Sequence, residues 1–315
     1  MTTLDDDAVI RHLRRRGVVT PEMPVEVRAL PGGVSGDVRA VVAPGLDVVV
    51  KQVHEALLVE DDWFADEQRL VTEGWALRLA GDLSPESVPK VIDLDPRTHT
   101  LVMQRAPRQW RNWRSELLEG RVDPDVGAQL GRLLSGWHSE TASRPELLAP
   151  FQDDTSFVQL RIDPFHRTVI ERHPELAEPI EAVIERLMTR RSCLVHGDFS
   201  PKNILVGADG IWVLDWEVAH VGDPDFDLAY LLCHLTLKAV HRPADAEAYR
   251  ETARRFLDAY GRTPDEHLAA NAACLLLARV DGKSPADYLT EPEQERTRAL
   301  AIRMLREPEA LDEYV

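Results

Sequence analysis

The chain has 315 residues, with 37 Lys and Arg against 54 Asp and Glu, a net charge of −17. A globule of this size buries about three quarters of the surface its unfolded chain exposes, so one large or two modest domains are expected. The surplus acid repels nucleic-acid backbones and anionic lipid headgroups, and neither partner is expected. The first thirty residues lack the apolar stretch of a secretory signal, and no run approaches the ~20 apolar residues of a membrane span, which predicts a cytoplasmic protein. Cys193, Cys233 and Cys274 are widely spaced among apolar neighbours and read as small buried hydrophobes rather than zinc or redox ligands.

In chain order, Asp5, Asp6 and Asp7 open a first helix and Arg11, Arg14, Arg15 and Arg16 close it, a charge order that suits the helix dipole. Strands are expected over 25–30, 38–42 and 46–53, separated by Pro31-Gly32-Gly33 and Pro44-Gly45. Residues 61–80 set Phe64, Leu70, Trp75, Leu77 and Leu79 in a helical rhythm. Two further strands, 88–94 and 99–104, flank the turn Asp95-Pro96-Arg97. An antiparallel sheet with one inserted helix is the expectation for this part.

After Pro107 helical spacing dominates: Val126, Leu130, Leu133, Leu134 and Trp137 form one set, and Leu176, Ile180, Val183, Ile184, Leu187 and Met188 another, with Pro174 at a suitable helix start. Short strands are expected over 194–196, 204–206 and 211–214, the last two joined by Ala208-Asp209-Gly210. Helices resume near Asp225, with breaks at Pro243, Pro264, Ser284-Pro285 and Pro292. The expected fold class is therefore α+β, with a lobe over 1–105 and a mostly helical lobe over 106–315.

Chemistry concentrates in Leu194-Val195-His196-Gly197-Asp198-Phe199-Ser200-Pro201-Lys202-Asn203 and Val213-Leu214-Asp215-Trp216-Glu217. Asp198 sits in a loop after one short strand, Asn203 follows five residues later, and Asp215 ends the next hairpin. Two carboxylates and a carboxamide suit hard divalent cations while leaving one carboxylate to face a substrate hydroxyl. In the strand Val48-Val49-Val50-Lys51-Gln52-Val53 an isolated lysine among apolar residues is costly without an anionic partner. Two other nucleotide signatures fail. Gly282-Lys283-Ser284 suggests a phosphate loop, but the glycine it requires would be at Leu277, and no Gly-x-Gly-x-x-Gly follows a strand.

His-Gly-Asp-x-x-x-x-Asn, Asp-x-Glu and then Gly222-Asp223-Pro224-Asp225-Phe226-Asp227 resemble the aminoglycoside phosphotransferase and choline kinase group of small-molecule kinases. The resemblance covers most of the chain. It implies a two-lobed protein-kinase-like fold, use of ATP and Mg2+, and transfer of the γ-phosphate to a hydroxyl of an aminoglycoside-like antibiotic, a sugar or an amino alcohol. Carried over residue by residue, Asp198 is the catalytic carboxylate, Asn203 and Asp215 the magnesium ligands, and Asp227 a buried structural acceptor for backbone N–H groups. Lys51 is the lysine that meets the phosphates, paired with Glu73 or, as runner-up, Glu67. Gly32, Gly33, Ser35 and Gly36 form the turn over the phosphates, and the backbone at Gln104, Arg105 and Ala106 meets the adenine.

Several readings stay open. Lys202 either approaches the transferring phosphate or is an exposed loop lysine. His196 reads as a hydrogen-bonded scaffold residue, and Glu217 as a metal or acceptor contact. Arg279, Asp281 and Lys283 form either a substrate loop or a plain turn between helices. A metal-dependent hydrolase using His196, Asp198, Asp215, His220 and Asp223 and a catalytically silent nucleotide-binding scaffold are the competing functions. Between His196 and Leu228 seven acids face one base, Lys202, a local field that favours an amine-bearing acceptor.

Overall fold

Alternating β-branched residues build a five-stranded antiparallel sheet from β1 (Glu26–Ala29), β2 (Gly36–Ala43), β3 (Leu46–Val53), β4 (Val91–Asp95) and β5 (Thr100–Gln104), in the order β1-β2-β3-β5-β4. The computed structural model describes residues 5–30, 36–53 and 65–307. The chain divides into two compact units, residues 1–110 with 207–217 and residues 111–206 with 218–315. The sheet belongs to the first. Helix α1 (Asp6–Arg15), capped by the Asp5 carboxylate, buries Val9 and Leu13 against Val41, Val48, Val50 and Val102. Because side chains alternate along a strand, Lys51 points away from that cluster. It is paired in register with Val38 on one side and Leu101 on the other, so it lies mid-sheet and buried.

The inserted helix, α2 (Arg69–Leu83), packs on β4 and β5. It starts later than the helical rhythm predicts: residues 65–68 precede it, with a turn at 67–68, and 61–64 lie outside the described residues. A Cβ on Gly74 would approach the Leu94 side chain to 2.8 Å, so glycine there lets α2 settle on β4. Strand β4 likewise begins three residues beyond Val88, since Pro89 has no N–H to give a ladder. The segment 207–217 is tied to this unit by the Val213 N–H, which donates to Ser87 O at 2.9 Å, and by an edge-on contact of Trp212 with Trp110.

The second unit is helical around α8 (Asp225–His241), which is buried continuously from Asp225 to Ala239. A helix apolar on all sides needs neighbours on all sides. They are α9 (Ala246–Tyr260), α10 (Glu266–Asp281) and α11 (Glu291–Arg306). Helix α4 (Pro124–Ser143) packs on α9 through Gly127 and Gly131, where a Cβ would meet Thr252 O at 2.4 Å and Phe256 O at 2.2 Å. Pro292, expected to break a helix, instead lies in the first turn of α11 beneath a capping box of Thr290 and Glu293; a missing N–H costs nothing at that position. A ten-residue π-helix, Val158–Arg167, carries Arg161 and Pro164.

Strand β7 (Cys193–Val195) pairs antiparallel with β10 (His220–Gly222). From β7 the chain turns through 196–200 and a 3₁₀ turn at Pro201–Asn203 into β8 (Ile204–Gly207). Gly197 makes this loop possible: its φ is +75°, and a Cβ would lie 2.7 Å from Val218 O. Gly197→Ala is therefore expected to cost about 1–2 kcal/mol for the left-handed backbone alone and more through the clash. A thermal unfolding curve matching that of the unaltered protein would contradict this.

Candidate functional site

The first unit holds a cluster of buried charge. Lys51 Nζ lies 2.7 Å from Glu73, 2.6 Å from Asp215 Oδ1 and 3.7 Å from Glu217. Arg69, fully buried, reaches Glu217 at 3.3 Å. Burial works against the ammonium, but Asp215, Glu73 and Glu217 outweigh it and hold the Lys51 pKa well above the ordinary value. Burial, aided by the like charges of Asp215 and Glu217, pushes Glu73 up to about 7 even though Lys51 opposes it. Glu67 pairs elsewhere, with His99 at 3.2 Å. Asp215 has a φ of +65°, a left-handed conformation that a non-glycine residue keeps only where its surroundings enforce it.

These donors suit a divalent cation. Carboxylate oxygens of Glu73, Asp215 and Glu217 all lie within 4.8 Å of one another, and Asp215 is the most exposed of the three. Hard oxygen ligands of this kind are what magnesium takes. Of the expected phosphate turn, Gly32, Gly33 and Ser35 lie outside the described residues. Gly36 is the first residue of β2, where a Cβ would stand 2.2 Å from Gln52 O. Gln104 ends β5 with its N–H donated to Lys90 O, and the Arg105 N–H is donated to Asp47 O. Ala106 follows in the connecting segment.

The second unit holds Asp198 on a rigid base. The Asp227 carboxylate, fully buried, accepts the N–H groups of His196 at 2.7 Å and Gly197 at 2.9 Å, and His138 Nε2 lies 3.3 Å away. Burial disfavours that carboxylate, yet His138, His196 and the backbone donors leave its pKa below the ordinary carboxylate value. His196 Nδ1 accepts the Asp198 N–H at 3.1 Å, a scaffold contact. Asp198 Oδ1 faces Arg161 Nη2 at 3.1 Å, while Oδ2 takes the Asn203 amide at 2.8 Å and Lys202 Nζ at 3.0 Å. Since Asn203 donates through Nδ2, its Oδ1 remains as an acceptor without a donor among the described residues.

Arg161, Arg69 and His138 were not read from sequence as site residues. Arg161 also donates to Gly197 O at 2.7 Å, and its guanidinium lies over the rings of Phe165 and Tyr230. A charged residue between Leu160 and Ile162 was the available signal, but a sequence does not show which carboxylate such a residue meets. Of the expected substrate loop, Asp281 is engaged by Arg298 and by His173 at 2.8 Å. Arg279 donates to Ser284, and the Lys283 N–H donates to Pro164 O.

The acids between His196 and Leu228 do not act as one negative field. Asp223 pairs with Arg190 at 3.1 Å and Arg186 at 3.4 Å, Asp225 with Arg262 at 3.0 Å, and Asp198, Asp215, Glu217 and Asp227 have the partners described above. Bases from distant parts of the sequence offset them, so these acids give no preference for an amine-bearing acceptor. Two members of the hydrolase ligand set, His220 and Asp223, are engaged elsewhere. His220 Nδ1 donates to Val218 O while its ring stacks on Phe157, and Asp223 belongs to the arginine cluster.

The profile of the phosphotransferase enzyme family matches residues 26–267. Methylthioribose kinase of Geobacillus kaustophilus is 28% identical over 227 residues, which cover 62% of this chain and 56% of that protein. The chain thus spans about half the length of the curated relatives it matches. Among solved structures, choline kinase from Cryptosporidium parvum is similar with a TM-score of 0.63 at 11% identity, covering 99% of this chain and 98% of that one. A choline/ethanolamine kinase family protein from Mesorhizobium loti has a TM-score of 0.55 at 17% identity, covering 98% and 97%. At these identities the structures bear on the fold.

Replacing Lys51 by Met leaves three clustered carboxylates with Arg69 as their cation. Breaking one partner out of a buried ion cluster costs about 3–5 kcal/mol. A carboxyl whose folded pKa is raised loses its stabilising contribution as pH climbs through that pKa, about 7 for Glu73 here, and removing the ammonium raises it further. Lys51→Met should therefore lower Tm more at about pH 8 than at about pH 5.5. An equal drop at both would contradict the cluster as described.

Proposed function

The chain belongs to the phosphotransferase enzyme family, and we propose that it transfers the γ-phosphate of ATP, with magnesium, to a hydroxyl of a small molecule. The observation that carries this reading is the carboxylate of Asp198, anchored through its loop by Asp227 and held at both oxygens by Arg161, Asn203 and Lys202. A carboxylate fixed in this way accepts or orients the proton of an attacking hydroxyl. In phosphoryl transfer, such positioning and electrostatic stabilisation supply most of the catalysis.

The remaining roles follow from the chemistry of each group. In the first unit Lys51, fixed by Glu73, is the cation for the nucleotide phosphates, with the backbone of Gln104 and Ala106 for the adenine. Magnesium would be held by Asp215, and its charge would offset that on the phosphate oxygens; Asn203 stays the second ligand that the family resemblance implies. Lys202 stands half exposed beside Asp198, where its ammonium serves the transferring phosphate. Arg279 and Lys283 remain candidates for the acceptor side, whereas Asp281 is committed to Arg298 and His173. A reaction supplied with ATP suits the cytoplasmic location expected from the sequence.

Sugars, amino alcohols and aminoglycosides are the acceptor classes to try, and the methylthioribose kinase relatives put sugars first. Incubation with ATP, magnesium and such a panel should release ADP in an acceptor-dependent way. Asp198→Asn should lower turnover about 10²–10⁴-fold while leaving nucleotide affinity within a few-fold. Ester hydrolysis without ADP would favour the hydrolase instead. Nucleotide binding with no turnover on any acceptor would favour the silent scaffold.

A further inference from the structure

One face of α8 presents Tyr230, His234 and Lys238, one turn apart, leading away from Asp198. Tyr230 lies against Arg161, which contacts Asp198, and His234 packs edge-on to Tyr230 at 5.1 Å. Lys238 is 1% exposed. Its Nζ has one hydrogen bond, to the His234 carbonyl at 3.3 Å, and no carboxylate partner among the described residues. The same Nζ stands 5.5 Å from the centre of the Tyr288 ring, and Arg114 lies over that ring at 5.8 Å.

Two buried donors in this neighbourhood are also unmet: Tyr288 Oη and Arg279 Nε have no hydrogen-bond partner among the described residues. The acid nearest to hand, Asp287, is exposed and already pairs with Arg114 at 2.6 Å. Burial together with Arg114 and Arg279 brings Lys238 down to about 7, although Cys233 and Asp287 oppose this. Burial, then Lys238 and Arg279, also drive His234 well below its usual value.

A buried ammonium with unmet donors around it and no counter-charge is costly in a resting protein. Lys51 shows the contrast: an equally buried lysine there has carboxylates of its own. Arg114 is 38% exposed, so the cluster reaches solvent at one edge. We propose that Lys238, Tyr288 and Arg279 form a subsite for an anionic group, a carboxylate or a phosphate, carried by the acceptor. The word acceptor rests on the phosphotransfer reading; the subsite itself rests on these residues alone. An acceptor with a hydroxyl for Asp198 and an anionic group for Lys238 is a hydroxy acid or a phosphorylated alcohol.

The test is calorimetric titration of two matched series, glycerol with glycerate and glycerol 3-phosphate, and glucose with gluconate and glucose 6-phosphate. Each is run on the unaltered protein, on Lys238→Met and on Tyr288→Phe, and ADP release is followed in parallel. At least one anionic member should bind about tenfold or more tightly than its neutral counterpart. Preference for the carboxylates or for the phosphates tells the two sources apart. Lys238→Met should abolish the preference without lowering Tm, because an uncompensated buried charge has gone, and Tyr288→Phe should reduce it. ATP affinity should be the same in all three proteins.

Equal binding of neutral and anionic members, no binding by any anionic member, or a preference that survives in Lys238→Met would each overturn the subsite. ADP release on neutral acceptors alone would do so while leaving the kinase reading intact. Anion binding lost in Lys238→Met, with no ADP release on any acceptor, would leave the subsite standing and remove the kinase reading.

Discussion

A lysine ammonium in the middle of a sheet has to find its counter-charge inside the protein. Lys51 finds it in Glu73 from α2 and in Asp215 and Glu217 from the segment 207–217. These partners are 22, 164 and 166 residues along the chain from it, so one desolvated charge dictates where a helix and a distant segment join the first unit. The cost of leaving any member of such a cluster alone explains why the arrangement is specific. The same surplus of carboxylate oxygens, three against two cations with Arg69 included, makes the cluster receptive to a further cation.

The second unit solves a related problem with backbone donors. Asp227 lies at the start of α8, fully buried, and gathers the N–H groups of His196 and Gly197. The loop between β7 and β8 is thereby fixed to the central helix. Asp198 is the next residue, and Arg161 reaches it from a π-helix, a geometry often found at functional positions. The carboxylate proposed to face the acceptor hydroxyl is thus stiff because its support is buried, not because its own loop is regular.

Much of this was legible in the sequence because it depends on local pattern. Period-two runs marked the strands, and Lys51 stood out as the one basic residue in a valine strand. The spacing of Asp198 and Asn203 brought the two together, and the structure joins them by a hydrogen bond at 2.8 Å. What was not legible depends on contacts between residues far apart in sequence. The acids from 196 to 228 read as a negative field, yet Arg161, Arg186, Arg190 and Arg262 come from other elements to offset them. Arg69 takes its part in the site only through its burial against Glu217, which no local pattern shows. Lys238, inside an apolar helix, drew no attention because a pattern does not report whether a buried charge has a partner. Pro292 was misread because proline breaks a helix interior but is at home in a first turn.

The two clusters have different jobs in this account, and the first of them can be probed alone. Its central claim is that the Lys51 cluster takes nucleotide phosphates together with a divalent cation. The most direct measurement is titration of ATP into the protein in excess magnesium and again in a chelator. The account predicts one site whose affinity falls about tenfold or more when magnesium is withdrawn. An affinity unchanged by the chelator, or no binding of ATP in either condition, would contradict it.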